Sequence, residues 1–247
     1  IALHDFLQGI VGLNGDGWRI ASYFGVPDRE GVALWCVLSG GNARLGALRS
    51  WVEERLPSIT AACPEAHLFE REIAEQCGVV VEDHPWFKPV RYQHAVRRGH
   101  DAWGRGDADE ILPGVGEFYG VEGAEVHEVA VGPVHAGIIE PGHFRFQCHA
   151  ETVFHLEIAL GYQHRGLERA LAGGPFPATM AQMETVAGDT TIGHATAHAM
   201  IREGLAGVAA PPRAEAIRAI ALELERLANH CGDLGALAGD VGYLPTM

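Results

Sequence analysis

No two of the five cysteines, at positions 36, 63, 77, 148 and 231, stand close enough to form a Cys-x-x-Cys pair. The sequence therefore spells neither an iron–sulfur cluster nor a zinc ribbon. An odd, scattered set of thiols suits a reducing compartment. No run approaches the ~20 apolar residues of a membrane span, and no signal-peptide pattern opens the sequence. The expectation is a soluble or peripheral chain whose link to a membrane runs through a partner, with no direct insertion. Basic residues are scarce too: 18 Lys and Arg stand against 32 Asp and Glu, a net charge of −14. Phosphate backbones need clustered cations, so a nucleic-acid partner is excluded, and adhesion to anionic lipid is disfavoured.

What is present is a core-forming chain. Of 247 residues, 47% are hydrophobic and 20% charged, enough for one large domain or two ordinary ones. Residues 18–24 and 31–38 read as strands, short and rich in aromatic and β-branched side chains. Residues 43–56 read as a helix, with Leu45, Leu48, Val52 and Leu56 on one face and Pro57 as its stop. Residues 66–76 read as a second helix closed by Gly78, and Val79–Val81 as an extended segment. Glu70, Arg71 and Glu72, followed by His84-Pro85 in a turn, read as an exposed charged helix or a polar rim for docking. Residues 97–125 carry no apolar periodicity and six glycines between 99 and 120, as a linker or an ordered surface loop would.

Beyond that stretch, 125–131 and 143–148 read as a hairpin pair. Residues 151–172 read as a helix, with Leu156, Leu160, Leu167 and Leu171 on one face. Residues 180–205 read as a long helix, and a last one opens at Pro211-Pro212 with Ile217, Ile220, Leu224, Leu227 and Leu234 as its stripe. The fold class is α+β: a small α+β domain at 1–97, a linker at 98–124, and a hairpin plus long-helix bundle at 125–247. The chain is organised around 132–168. There His135, Glu140 and His143 crowd a Gly/Pro-rich loop, while His164 and Glu168 are spaced to meet on a helix. Titratable groups on irregular backbone beside rigid elements suit proton or ligand handling, and equally an edge hairpin with solvated histidines. His194 and His198 sit at i, i+4, but no Glu follows the first as in His-Glu-x-x-His, so no metal site is assigned.

Four blocks carry a resemblance. Gly132-Pro133-x-His135, Glu140-Pro141-Gly142-His143-Phe144-Arg145-Phe146 and Tyr162-x-His164-Arg165-Gly166-x-Glu168 together resemble the start of the large subunit of membrane-bound, formate-hydrogenlyase-type nickel–iron hydrogenases. The quinone-site subunit of respiratory complex I is homologous to that subunit. Glu70-Arg71-Glu72 through His84-Pro85 resembles the signature of the smaller hydrophilic complex I subunit, with Glu75 where Asp is usual and Asp83 where Gly is usual. Glu225-Arg226-x-x-Asn229-His230-x-x-Asp233 resembles a fourth block. The third-helix block, Cys-Gly-x-Cys-x-x-x-His in hydrogenases, reads Ala187-Gly188-Asp189-Thr190 through His194 here, without its thiolates. The complex I tyrosine two residues later is Thr196.

The resemblance implies the fused small subunit and about the first half of a large-subunit body. It implies Glu140, His135 and His143 as proton-handling residues, and a candidate quinone or proton cavity at Asp189, His194 and Thr196. It implies no cofactor held by this chain unless quinone, and an iron–sulfur cluster in a partner. The implied partners are an iron–sulfur small subunit and membrane subunits, on the inner face of the cell membrane. The alternative is a non-catalytic scaffold docking an iron–sulfur subunit onto a membrane arm.

Overall fold

The computed structural model describes residues 1–28, 30–112, 117–134 and 140–246. The chain divides into two compact units: Ile1–His135 with Pro141–Tyr162, and Ala136–Glu140 with Gln163–Met247. Among the described residues the architecture is α+β, with three small sheets and helices.

The first unit opens with helix α1 (Leu3–Gly15), then strands β1 (Arg19–Pro27), β2 (Val32–Gly40) and β3 (Arg44–Val52), paired antiparallel in that order. Every second residue of β2 from Val32 to Leu38 is fully buried, the period of a strand with one face in a core. Phe6 and Ile10 of α1 join that core, as does Ile73 of α2 (His67–Cys77). A short parallel pair, β4 (Arg55–Pro57) with β5 (Val80–Glu82), brackets α2. Gly78 ends α2 at φ 66°, and a Cβ there would come within 2.6 Å of the His100 backbone, so the helix stop also makes room for the following loop.

The helix expected over 43–56 is a strand. Its leucine spacing fits a helix, but Leu48, Ser50 and Val52 pair with Cys36, Leu34 and Val32 of β2, and Leu45 of the supposed stripe is 73% exposed. A tight turn decides it: Asn42 and Ala43 take φ 59° and 55°, which Gly40-Gly41-Asn42 makes accessible. No expectation covers α1, which the structure adds.

A second three-stranded antiparallel sheet holds β6 (Val126–Val131), β7 (His143–His149) and β8 (Thr152–Ala159) in that order. The hairpin pairing of β6 and β7 is as expected. The helix expected from 151 is replaced by β8: Thr152, Val153, Phe154 and Ile158 are strand formers, and Ala150 turns the chain at φ 50°. The helical segment after it is only α3 (Leu167–Leu171), so His164 lies in coil and its expected helical spacing to Glu168 does not exist.

Of the two readings of 97–125, the described residues take the ordered surface loop. Arg97 Nη1 donates to the carbonyls of Glu53 (3.1 Å) and Cys77 (3.2 Å), and Trp103 stacks on Phe87 at 5.0 Å. Asp101 accepts from the Trp103 and Arg105 amides and pairs with the Arg105 side chain at 2.7 Å.

The second unit consists of helices. The long helix expected over 180–205 is interrupted: α4 (Thr179–Glu184) ends, Ala187 is extended, and α5 (Thr191–Ala206) begins afresh. Gly188, Asp189 and Thr190 are poor helix interior residues, and the break falls on them. The last helix, α6 (Pro212–Asp240), starts where expected, with Pro212 in its first turn.

Candidate functional site

In the first unit the charged signature of α2 points inward. Glu70 is fully buried, and its carboxylate accepts from Ser58 Oγ (2.6 Å), Ile59 N (2.8 Å) and Thr60 Oγ1 (2.7 Å). Glu75, also fully buried, accepts three amides of the irregular strap 84–93: Val90 (3.1 Å), Arg91 (2.7 Å) and Gln93 (3.2 Å). Arg71 donates to the carbonyls of Lys88 (2.7 Å) and Pro89 (2.9 Å). Each charge thus satisfies backbone groups that have no sheet neighbour, and this offsets its desolvation. The exposed rim expected for Glu70–Glu72 is corrected. Glu70 and Arg71 are structural ties, and Glu72 hydrogen-bonds Gln76 and Arg91, 2.9 and 2.5 Å away. A local pattern cannot reveal this, because the amides that need the carboxylates lie 11 to 18 residues away.

His84 anchors the start of the strap. Trp86 N donates to its Nδ1 (3.0 Å), which leaves the proton on Nε2, facing the His67 carbonyl at 3.1 Å. The His67 and His84 rings stack at 5.3 Å. Burial pushes the pKa of both imidazoles down; Arg71 next lowers His67, while the His67 carbonyl opposes the shift at His84.

The strap continues onto one face of the β6–β8 sheet, where His143, Arg145 and Gln147 of β7 stand beside His155 and Glu157 of β8. His143 is buried and committed: Arg145 Nε donates to its Nε2 (3.3 Å), and its Nδ1 meets the Gly132 carbonyl (3.4 Å). Arg145 and Gln147 both hold Glu128 at 2.7 Å. The Arg145 guanidinium lies 4.1 Å from the Phe118 ring centre. Lys88 pairs with Glu157 at 2.7 Å, and Trp86 stacks on His155 at 5.0 Å. Beside them is a cavity of about 440 Å³, lined by residues of α2, the strap and β8.

In the second unit the third-helix and fourth-helix blocks meet. The Glu225 carboxylate accepts the amides of Ile192 (2.5 Å) and Gly193 (3.2 Å) at the start of α5. Asn229 Nδ2 donates to the Asp189 carbonyl at 2.7 Å. A carboxylate on first-turn amides is what a helix N-terminus favours. His194 and Thr196 follow within α5, both half-buried, and Asp189 is exposed. His198 Nε2 is buried with no hydrogen-bond partner among the described residues, and the side chain lines a separate cavity of about 560 Å³ between α3, α4 and α5.

Residues 29–100 match the family described as respiratory-chain NADH dehydrogenase, 30 Kd subunit. The chain is 30% identical over 202 residues to formate hydrogenlyase subunit 5 of Escherichia coli, covering 76% of this chain and 34% of that one. It is 27% identical over 248 residues to hydrogenase-4 component G of the same organism, with 92% and 44% covered. It is 26% identical over 210 residues to the C/D subunit of NADH-quinone oxidoreductase from Methylococcus capsulatus, with 76% and 36% covered. This is a group 4 hydrogenase-like, complex I-like subunit.

The hydrogenase-like subunit spans between about a third and under half the length of these three relatives. Its expected site residues are distributed. His143 is locked into the first unit, Glu140 is exposed, and His135 lies outside the described residues. Asp189, His194 and Thr196 share the start of α5. In the sequence Glu225 and Asn229 are only motif letters, yet they brace that start; their signal was the motif itself. At the two nickel-thiolate positions stand the Ala187 methyl and the Thr190 hydroxyl, which do not fit a soft thiolate-bound metal. Among the described residues no third metal-ligating side chain joins His194 and His198, and no helix is long and apolar enough to cross a membrane.

Proposed function

We propose that this subunit works in a membrane-attached, hydrogenase-like or NADH:quinone oxidoreductase-like complex, coupling redox chemistry to quinone or proton handling without nickel. One observation carries the reading: α6 holds the start of α5 in place through Glu225 and Asn229, while the thiolate positions beside it carry Ala187 and Thr190. A braced site without its metal ligands suits a proton-bearing or quinone-type ligand, for which Asp189, His194 and Thr196 offer donors and acceptors. Glu140 and His135 are the proton-relay candidates next to it in the motif order. The electron source is an iron–sulfur cluster in a partner small subunit. Membrane subunits hold the assembly at the cytoplasmic face.

The test is a quinone-reductase assay and metal analysis of the assembled complex. Glu140→Gln and His135→Ala are expected to lower turnover by roughly 10- to 100-fold, as loss of a proton-transfer group does. Stoichiometric nickel surviving chelator would overturn the nickel-free reading.

A scaffold role is the second reading. It is favoured by the exposure of Glu140 and by the engagement of both His143 nitrogens. It expects unchanged turnover in those variants.

A further inference from the structure

β8 is an edge strand of its sheet. Among the described residues, no backbone hydrogen bond beyond the sheet ladder involves Thr152–Ala159. Edge strands are normally blunted by Lys, Pro or an outward charge. β8 has none of these: its one charge, Glu157, is turned onto Lys88. Val153, Phe154, Leu156 and Ile158 are between 42% and 56% exposed. The 440 Å³ cavity is lined by the six consecutive residues from His155 to Leu160. Successive side chains of a strand point to opposite faces, so a hollow that meets all six runs along the strand's free edge.

Opposite β8 the hollow is lined by two cations, Arg71 and Lys88, the second paired with Glu157 of β8. Arg71 is buried, and its guanidinium meets two carbonyls and the His67 ring but, among the described residues, hydrogen-bonds no carboxylate. Buried cations ordinarily have an anion beside them. His155 also lines the hollow, and its buried Nε2 has no hydrogen-bond partner among the described residues. Glu75 and Glu157 act on Arg71 only through space. An open ladder, flanking apolar side chains and a buried guanidinium with no carboxylate hydrogen-bonded to it call for one kind of occupant.

We propose that β8 receives an extended segment of a partner polypeptide as a fourth strand of this sheet. Alternate residues of that segment are apolar, and one carries a carboxylate into the hollow beside Arg71 and His155. The main-chain bonds supply affinity, and the carboxylate and apolar residues supply selectivity. The proposal is independent of whether the subunit handles quinone.

The segment is unidentified, so the probe is a benzophenone amino acid placed at Val153, Phe154 or Ile158 of the full chain in its native assembled complex. Adducts are expected on a single stretch of another polypeptide, their sites stepping along it in antiparallel or parallel register, with an Asp or Glu in the stretch. Outward-pointing β8 amides should exchange hydrogen at least about tenfold more slowly in the complex than in the isolated chain, as paired amides do. Ile158→Lys, on an exposed position where the fold tolerates charge, should lower the yield from Val153 by about tenfold or more, with an unchanged circular dichroism spectrum. Adducts on this chain itself, on a second copy, on lipid or on scattered proteins would overturn the proposal. So would equal exchange in both states, or an Ile158→Lys yield that does not fall.

Discussion

Two motif-bearing helices of this subunit differ in what they bury. α2 of the first unit encloses Glu70, Arg71 and Glu75. α6 of the second unit encloses none of its 29 residues, and Ile217, Ile220, Leu224, Leu227, Leu234 and Leu237 are between 56% and 67% exposed. Charge is interior where backbone amides and carbonyls lack sheet partners. Apolar side chains are outside where a helix meets few neighbours. α6 is then held by local devices: Pro212 in its first turn, the Arg218–Glu203 pair with α5 at 2.5 Å, and the Glu225 link. A hydrophobic stripe therefore marks a face that wants covering, and says nothing of whether the same unit covers it.

The comparison is open to breakage, most directly at Glu70. Glu70→Ala leaves the Ile59 amide and two hydroxyls unsatisfied in the core, and is expected to cost about 3–5 kcal/mol; urea unfolding of the first unit by tryptophan fluorescence measures it. A loss below about 1 kcal/mol would mean water replaces the carboxylate and the tie is dispensable. Next come two leucines of opposite exposure. Leu34→Ala, at a fully buried position, should cost about 2–5 kcal/mol, and Leu224→Ala on the open stripe about 0.5 kcal/mol or less in the isolated chain. Equal losses would show that α6 is covered in solution.

Acid should act selectively on the first unit. His67 and His84 have folded-state pKa values below the ordinary 6.5. The unfolded chain takes up protons near that pH while the folded chain does not, so stability is full above it. Stability falls as pH drops below it, until the folded-state values are passed. Denaturation midpoints at several pH values from about 7.5 down to about 5 check this, and His84→Gln should flatten the slope; an unchanged slope would remove His84 from the account. A smaller effect than at Glu70 is expected at Glu225. Glu225→Ala removes a cap-like bond from α5 and should cost about 0.5–2 kcal/mol, read as lost helicity in the second unit.

The family blocks and the fold class were legible in the sequence, as were β1, β2, α2, the β6–β7 pair and the start of α6. What misled was period: Leu45, Leu48 and Leu56, and again Leu156 and Leu160, sit at helical spacings in segments that are not helical. The decisive information lay in turns, Gly40-Gly41-Asn42 and Ala150, not in the stripes. At the site, motif letters located Asp189, His194, Glu225 and Asn229, but not that Glu225 would seat α5. The roles of Glu70 and Glu75 were illegible for another reason: all of Glu75's partners and one of Glu70's are main-chain amides, which carry no sequence identity.

The strap tied by Glu75 also orders events in time. Its bonds span 15 to 18 residues, whereas Lys88 reaches Glu157 across 69 and Tyr119 reaches it across 38. Closing a short loop costs less chain entropy, so α2 and the strap can form as a local nucleus before the β6–β8 sheet arrives on top. Substitutions at Glu75 would then slow refolding, and substitutions at Glu157 would chiefly hasten unfolding. Stopped-flow refolding of the two variants separates the stages, and a reversed pattern would mean that the sheet is the earlier platform.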